Sequence, residues 1–499
     1  MRLTEIFGAA SVLALCAALL ASAGGAQESD DANARLAALE AELATLEGDL
    51  GLLEDGKAIK RLQRAYGYYV DKKLSREIGA LFADGPATTA ELGGSGVYVG
   101  RARIAEFYDR IIGGDAGMDA RGRATQGAVA EGIEPGELFN HMILQGVVHV
   151  TPDGLTAKGR WRALIQIGQH GESAVWAEGP YENEYVKENG VWKFSKVHWY
   201  QTFSAPYSPG WHKVPQPMEP PLADFPPDRP STAVYQSYPA VYQPPYHYAN
   251  PVSGRCEPGI CVEVKANAVA RAPAAASEQP PAPAARIEAA RARLAGVTAR
   301  ATHVEDSNAI QNLQGSYGYY TDKMLWDEVV DLFADDGTIE LGPSGVYVGK
   351  DSIRRYLLSL SNGAQGPLDG VLYDHFQLQP IVTVADDGLT ANGRWRLFLM
   401  TGVSGAGSGG NWGEGVYENE YVKEDGVWKI RKLHWFANFV APYESGWLNA
   451  DPKAVADFAM GRGVTPDRPS SVAYDPYPGA FAPPFHYPNP VSSQTGARQ

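Results

Sequence analysis

Apolar residues along this chain follow two different periods, and the same succession of periods occurs twice. In residues 57 to 84, apolar side chains recur every three or four positions, which is typical of amphipathic helices. A further helical stretch, "GRARIAEFYDRII", precedes four long segments in which apolar and polar residues alternate. Turn residues such as "PDG" and "ENG" separate these segments and suit hairpins. The pattern predicts an α+β unit with three helices and a curved antiparallel sheet.

The second half of the chain repeats the first in nearly identical blocks. "YGYYVDK" at residue 66 returns as "YGYYTDK" at residue 317, and "YENEYVKENGVWK" at residue 181 returns as "YENEYVKEDGVWK" at residue 417. Each copy opens with an Ala-, Leu- and Glu-rich amphipathic stretch, which we interpret as a packing helix. The chain is therefore a tandem duplication.

Changes in composition predict where the domains begin and end. Residues 1–26 contain an early Arg, an apolar run and small residues, which is typical of a cleaved signal peptide and predicts a periplasmic or secreted protein. We expect a first domain over residues 31–250 and a second over 286–492. The Pro- and Ala-rich residues 262–285 predict a linker between them. A Pro- and Tyr-rich tail after each core predicts an extended strap lying across the sheet or over a pocket mouth.

Charge and cysteine content narrow the possible partners. The net charge of −15, with no basic run, argues against nucleic-acid binding and against anionic partners in general. No stretch after the signal has the roughly 20 apolar residues that a membrane helix needs, so no membrane partner is expected. Cys256 and Cys261 flank a Pro-Gly turn, and a local disulfide is favoured over a metal site. No cofactor motif occurs in a fitting context, and neither a cofactor nor a metal is expected.

The motifs resemble the SnoaL-like family of the nuclear transport factor two-like superfamily. The resemblance rests on a helix with a Tyr and an Asp five residues later, on "LFADD", on a His in the first long strand, and on "DGxTAxGRWR" and "GxYENEYVKEDGVWK". It covers residues 57 to 204 and 308 to 440. It implies two tandem cone-shaped α+β barrels, each with three helices packed on a curved antiparallel sheet around an apolar pocket. Relatives include scytalone dehydratase, bile acid dehydratase and ketosteroid isomerase, and the fold alone does not fix the reaction.

In the dehydratase branch of that family, a Tyr and an Asp from the first helix meet a His from the first long strand. The resemblance carries these catalytic roles to six residues, three in each copy: Tyr66, Asp71 and His141, and Tyr317, Asp322 and His375. A His can move the proton, the Asp can orient it, and the Tyr can donate a hydrogen bond to the leaving group. Tyr68 and Tyr319 are alternatives if the helix is regular, because they lie nearer the face of the Asp. The alternative is a purely structural role, in which the Asp caps a helix and the Tyr fills the core.

Further residues are candidates for weaker reasons. We expect four side chains to line the substrate site: Tyr69, Asn183, Tyr320 and Asn419. His198 and His434 are interpreted as edge residues bonded to the backbone, with second pocket histidines as the alternative. Glu178 and Glu414 are interpreted as surface charges, with an additional acid in the pocket as the alternative. The repeated Arg-Trp-Arg triplets, which contain Arg162 and Arg396, are expected to serve in packing between sheets and in salt bridges.

These patterns lead to a hypothesis with alternatives. The chain is interpreted as a cofactor-independent lyase that removes water or formaldehyde from a hydroxylated aromatic or polycyclic small molecule. The alternatives are a non-catalytic periplasmic carrier of an apolar ligand, and an isomerase or cyclase acting in the same pocket. The two domains are expected to pair as an internal pseudo-dimer.

Overall fold

The structure is a computed structural model that describes residues 26–112, 132–256, 261, 283–405 and 408–492. The predicted signal peptide, apart from its last residue, and most of the predicted linker lie outside these residues. In the part that is described, no helix is both long enough and apolar enough to span a bilayer.

The described residues of the first domain form three helices and seven strands. Its helices are α1 (Ala26–Asp71), α2 (Ser75–Ala80) and α3 (Arg101–Ile111). Its strands are β1 (Thr89–Leu92), β2 (Val97–Val99), β3 (Glu137–Val150), β4 (Thr156–Gln169), β5 (Ser173–Glu188), β6 (Val191–Trp199) and β7 (Phe203–Pro206).

The second domain repeats this order. Its helices are α4 (Pro283–Asp322), α5 (Trp326–Asp331), α6 (Lys350–Leu360) and, after the sheet, α7 (Pro452–Ala459). Its strands are β8 (Phe333–Leu341), β9 (Tyr347–Val348), β10 (Val371–Val384), β11 (Thr390–Val403), β12 (Gly409–Glu424) and β13 (Val427–Pro442).

Each domain has the predicted α+β architecture, and the sheet differs from the prediction in two details. The strand orders are β2-β1-β6-β5-β4-β3, with β7 beside β5, and β10-β11-β12-β13-β8-β9. The terminal strands of each path do not pair with each other in the described residues, so the sheets are open rather than closed barrels. The hairpins β1–β2 and β8–β9 were not predicted, and β1 and β8 add one parallel pair to each otherwise antiparallel sheet.

The repeated "YGYY" places a glycine where the long helix crosses the first long strand. A Cβ on Gly67 would lie 3.2 Å from the carbonyl oxygen of His141, and one on Gly318 would lie 3.0 Å from the carbonyl oxygen of His375. Only glycine permits so close an approach of helix to strand. This crossing positions the end of the helix, and therefore its Asp, beside the histidine strand.

The first halves of α1 and α4 lie side by side as a parallel pair. Leu43, Leu46 and Leu50 pack against Ala290, Val297 and Ala301 in a separate apolar cluster. Three ion pairs flank it, each joining a Glu of α1 to an Arg of α4 and spaced by seven residues: Glu40–Arg286, Glu47–Arg293 and Glu54–Arg300. A constant seven-residue spacing is the geometry of a parallel coiled coil, which confirms that these helices are packing elements.

The helix pair is out of register with the repeat. The duplication relates Glu54 to Glu305, 251 residues later, whereas Glu54 pairs with Arg300, only 246 residues later. The two helices are therefore shifted by five residues, or about 7.5 Å along the axis. Equivalent residues of the two domains consequently meet different neighbours.

The two sheets also contact each other through their outer faces. The shared cluster contains eight buried side chains: Leu138, Met142, Trp176, Phe439, Ala441, Trp447, Ala450 and Tyr477. The indole of Trp447 donates to the carbonyl of Ile167 at 2.7 Å. The domains thus share an apolar core in addition to the helix pair.

Both tails run across their sheets as extended straps. Glu91 accepts hydrogen bonds from the backbone and hydroxyl of Thr232, at 2.8 and 2.6 Å, and Glu340 holds Ser471 in the same way. Cys256 and Cys261, at the end of the first strap, form the predicted disulfide with a Cα–Cα distance of 5.5 Å.

Candidate active sites in the two domains

In the first domain, Tyr66 and His141 are joined through other tyrosines. The Tyr66 hydroxyl lies 3.1 Å from that of Tyr108 and 3.2 Å from that of Tyr181. The Tyr181 hydroxyl in turn lies 3.0 Å from Nε2 of His141. All four side chains are buried, with at most 4% of their surface exposed. The three hydroxyls and Nε2 of His141 therefore form a continuous series of hydrogen bonds.

Asp71 contacts the histidine strand rather than the imidazole. One carboxylate oxygen accepts the backbone N–H of His141 at 2.6 Å, and the other forms an ion pair with Arg396 of the second domain. Arg396 also pairs with Glu414. Nδ1 of His141 is buried without a hydrogen-bond partner in the described residues. The three predicted residues lie close together, but the carboxylate of Asp71 forms its ion pair with Arg396 of the other domain.

This environment makes His141 a very weak base. Burial and, to a lesser extent, the nearby positive charge of Arg396 lower the pKa of His141 to about 3. Burial also acts to lower the pKa of Arg396, but the flanking charges of Asp71 and Glu414 raise it above its ordinary value. The guanidinium therefore remains charged beside the imidazole.

In the second domain, the Asp lies beside the imidazole itself. Oδ1 of Asp322 is 3.4 Å from Nδ1 of His375, and it also accepts the backbone N–H of His375 at 2.6 Å. In the described part of the chain, Asp322 pairs with no Lys or Arg. Nδ1 of His375, like that of His141, is buried without a hydrogen-bond partner, so the 3.4 Å approach of Asp322 is an electrostatic contact. The side chain of Asp322 is 17% exposed, whereas that of Asp71 is 3% exposed.

The electrostatic balance at His375 differs accordingly. Burial lowers the pKa of His375, but the nearby carboxylate of Asp322 acts in the opposite direction. Tyr317 stands edge to face with Tyr417, with ring centroids 6.0 Å apart. Burial raises the pKa of Tyr317 to about 12, so its hydroxyl keeps its proton at neutral pH and can donate it in a hydrogen bond.

Two substitutions between the copies remodel the surroundings of the histidine. The position of Tyr108 in the first domain is taken by Leu357 in the second, which removes one member of the tyrosine chain. The position of Phe139 is taken by Tyr373, whose ring lies 4.3 Å from that of His375. The second site therefore has an aromatic ring closer to its imidazole, at 4.3 Å against 6.3 Å between Phe139 and His141, and it lacks the hydroxyl of Tyr108.

The alternative tyrosines of the first helix face elsewhere. The α1 helix is regular to Asp71, as the alternative requires, but the Tyr68 hydroxyl donates to the carbonyl of Gln379 at 2.9 Å in the other domain. Tyr319 is 76% exposed. Neither alternative ring therefore contacts the histidine of its own domain in the described residues.

The four residues expected to line the substrate site have structural partners. Tyr69 packs on Phe485 of the second strap, with ring centroids 5.4 Å apart, and Tyr320 packs at the edge of the second core. The amide of Asn183 donates to Gln63 at 2.9 Å and accepts the backbone N–H of His198 at 3.0 Å. Asn419 makes the equivalent contacts with Gln314 and His434. Both amides thus join the helix to the sheet.

The remaining charged candidates are buried. His198 stacks on Tyr200 at 3.8 Å, and His434 stacks on Phe436 at 3.9 Å. Glu178 and Glu414 were expected to be surface charges, and this expectation is wrong. They are 7% and 1% exposed. Glu178 pairs with Arg162 and Glu414 with Arg396, which agrees with the salt bridges predicted for these arginines.

Sequence reasoning missed the partners of the trio. Tyr181 follows the same face of β5 as Asn183, so the alternation of that strand was a usable signal for it. Arg396 could not be found in this way, because its contact with Asp71 depends on how the domains are placed. In the described residues, no group of three or more His, Cys, Asp or Glu side chains is arranged to hold a metal ion.

Comparison with known families agrees with this architecture. The model of the SnoaL-like domain family matches residues 52–198 and 302–434, more than half of the chain. The chain therefore belongs to the SnoaL-like domain family, with one domain of that family in each half. A search of curated proteins finds no match.

Solved structures with a similar fold cover one domain at a time. A candidate scytalone dehydratase from Novosphingobium aromaticivorans is 18% identical, with 33% of this chain and 95% of that chain covered and a TM-score of 0.26. A hexachlorocyclohexane dehydrochlorinase from Novosphingobium barchaimii is 22% identical, with 28% and 92% covered and a TM-score of 0.25.

Proposed function

We propose that this protein is a cofactor-independent lyase whose working site surrounds His375 in the second domain. The observation that carries the proposal is the 3.4 Å approach of Asp322 to Nδ1 of His375. A carboxylate close to one ring nitrogen stabilises the imidazolium that forms when the other nitrogen, Nε2, accepts a proton. The first domain has the same three residues, but Arg396 occupies its Asp and the pKa of its His is lowered to about 3.

The proposed reaction is an elimination of water. Nε2 of His375 removes a proton from carbon, and Asp322 stabilises the resulting imidazolium. The electron pair forms a new carbon–carbon double bond as the carbon–oxygen bond breaks. Tyr317 donates a hydrogen bond to the departing hydroxyl, which takes the proton from His375 and leaves as water. Formaldehyde elimination would begin with the same base acting on a hydroxyl proton.

The substrate is proposed to be a hydroxylated aromatic or polycyclic molecule. The ring of Tyr373 lies 4.3 Å from that of His375, and Tyr317 stands edge to face with Tyr417. Aromatic walls with few polar groups favour ring-bearing ligands. This class, rather than a particular compound, is what the site supports.

The first domain is proposed to serve as the partner of the second in an internal pseudo-dimer. The shared sheet cluster, the helix pair and the Asp71–Arg396 ion pair support this arrangement. We also propose a periplasmic or secreted location, which the predicted signal peptide and the Cys256–Cys261 disulfide support. Fractionation of expressing cells tests the location, and recovery of the uncleaved chain in the cytosol would contradict it.

Mass spectrometry of hydroxylated aromatic candidates, including diaryl alcohols, incubated with the purified protein tests the lyase. We expect loss of water or formaldehyde with the wild type and with His141→Gln, and at least a hundredfold slower turnover with His375→Gln. These two variants are matched, since they change equivalent histidines. Equal turnover by His375→Gln and the wild type would contradict the site. No turnover, together with an apolar ligand that co-purifies with all three proteins, would favour the carrier.

A further inference from the structure

A cleft of about 310 Å³ lies between α1, α4 and β10, away from both histidine sites. One wall is formed by four cationic residues of α1: Lys57, Lys60, Arg61 and Arg64. They are spaced by three, four and seven residues, so they share one face of the helix. This basic cleft contrasts with the net charge of −15 of the whole chain.

No carboxylate forms an ion pair with any of these four cations in the described part of the chain. Lys57 donates to the carbonyl of Val304 at 2.9 Å, and Arg64 donates to that of Pro380 at 2.8 Å. Arg61 donates to Val382 and Thr383 of β10. Lys60 has no described partner. Glu54 also lines the cleft, but Arg300 neutralises it.

The duplication supplies an internal comparison for this face. In α4 the positions equivalent to the four cations are uncharged, and they are Asn308, Gln311, Asn312 and Gly315. The residues between them are conserved between the copies, as "AI" and "LQ" show. The helix of this fold therefore forms without the cations, and their presence in α1 alone needs another explanation.

Contacts between the domains explain only part of the cluster. Arg61 and Arg64 bind β10 carbonyls and so help to join the domains. Lys60 forms no described hydrogen bond to the other domain, yet it is half-buried beside three other cations. Burial lowers the pKa of Lys60, and the charge of Arg64 lowers it further; the pKa of Lys57 is lowered in the same way. Like charges held together at this cost are typical of a site for an anion.

We infer that the basic cleft binds a small oxyanion, a molecule with a carboxylate or phosphate group. The opposite wall, from α4, presents Ser307, Asn308 and Gln311, which are neutral groups able to donate hydrogen bonds. The volume suits a small molecule and excludes a polymer. The site contains residues of both domains, so it exists only because the two copies are joined as they are.

Isothermal titration calorimetry of the full mature chain at low ionic strength tests this site. Inorganic phosphate and benzoate serve as separate probes, so that the preferred oxyanion is distinguished. We expect saturable binding of at least one probe. The variant Lys57→Asn/Lys60→Gln, which carries the residues of the second copy, is expected to weaken binding by at least about tenfold. Lys213→Gln, which removes one lysine charge at an exposed position outside the cleft, is expected to retain wild-type affinity and is matched in charge to the single variant Lys60→Gln.

Melting temperatures separate a binding role from a purely structural one. Lys60→Gln removes a repelled charge and no described hydrogen bond, so without an anion it is expected to melt at or above the wild-type temperature. When phosphate or benzoate is added, the melting temperature of the wild type is expected to rise more than that of this variant. The inference would be overturned by no saturable binding of either probe. It would also be overturned by unchanged affinity in the double variant or, if that variant does not fold, in Lys60→Gln.

Discussion

Arg396 of the second domain forms an ion pair with Asp71 of the first, whereas the duplicated residues do not repeat this contact. Arg162, the counterpart of Arg396, pairs with Glu178 and is 49% exposed. Asp322, the counterpart of Asp71, lies beside His375 instead. A strictly twofold pair of domains would form both contacts or neither. The asymmetry accompanies the five-residue shift between α1 and α4, and it gives two nearly identical sites different electrostatic surroundings.

Removing the buried arginine should destabilise the protein far more than removing its exposed counterpart. Arg396→Gln leaves Asp71 and Glu414 buried without their cation, which costs about 3 to 5 kcal/mol of unfolding free energy. Arg162→Gln removes a half-exposed partner and should cost about 1 kcal/mol or less. Urea unfolding of both variants measures the difference. Equal losses would show that the ion pair between the domains does not stabilise the fold.

The glycines of the long helices should respond in opposite directions. A Cβ at Gly67 would lie 2.6 Å from Nε2 of Gln379 and 2.8 Å from Cγ1 of Ile143. Gly67→Ala should therefore cost about 1 to 3 kcal/mol through overpacking. At Gly315 of α4 no atom lies within 4 Å, so Gly315→Ala should stabilise the helix by up to about 1 kcal/mol. Thermal unfolding of the two variants compares them, and stabilisation by Gly67→Ala would contradict the close crossing.

Much of this architecture could be predicted from local pattern, and the difference between the two sites could not. The helix and strand periods predicted the α+β order, because burial of one face leaves a periodic trace in the sequence. The β1 strand was missed, since its four residues follow a Gly- and Pro-containing turn that resembles a loop. Asp71 and Asp322 have nearly identical neighbours in sequence, and only the placement of the domains gives one of them to Arg396.

The apolar contact between α1 and α4 should contribute more than the ion pairs beside it. Leu43 is 4% exposed within this cluster, and Leu43→Ala should cost about 2 to 4 kcal/mol. Glu47→Gln breaks one flanking pair, whose arginine is 41% exposed, and should cost about 1 kcal/mol or less. Urea unfolding followed by circular dichroism at the helix band measures both. A larger loss in Glu47→Gln would contradict the dominance of apolar packing.

Buried histidines should make the fold sensitive to acid. Burial lowers the pKa of His198 to about 3, with Lys196 acting in the same direction, from an ordinary value of 6.5. Below pH 6.5 the imidazole of His198 is therefore protonated in the unfolded chain but stays neutral in the folded chain. The free energy of unfolding consequently falls as the pH drops from 6.5 toward 3. Between pH 6.5 and 5 this histidine alone should account for about 2 kcal/mol.

The variant His198→Gln isolates that contribution. Its unfolding free energy should decline less between pH 6.5 and 5 than that of the wild type, whereas His212→Gln, at an exposed position, should follow the wild type. Urea unfolding at the two pH values provides the comparison. Parallel declines in all three proteins would exclude His198 as a source of the acid sensitivity.

The proposed turnover should keep its rate well into mildly acidic solution. Since burial lowers the pKa of His375 below 6.5, the imidazole stays neutral and able to accept a proton at pH 6.5 and above. The kcat/KM of the wild type should therefore be level from about pH 8 to 6.5 and decline only at lower pH. Asp322 opposes the effect of burial, so Asp322→Asn should move the acid limb to still lower pH. It should also reduce the kcat/KM of the plateau, because the imidazolium loses its carboxylate.

Asp71→Asn changes the equivalent residue of the other domain, and its acid limb should coincide with that of the wild type. If Asp71→Asn moves the limb and Asp322→Asn does not, the working base is His141 and the assignment of the two domains is reversed.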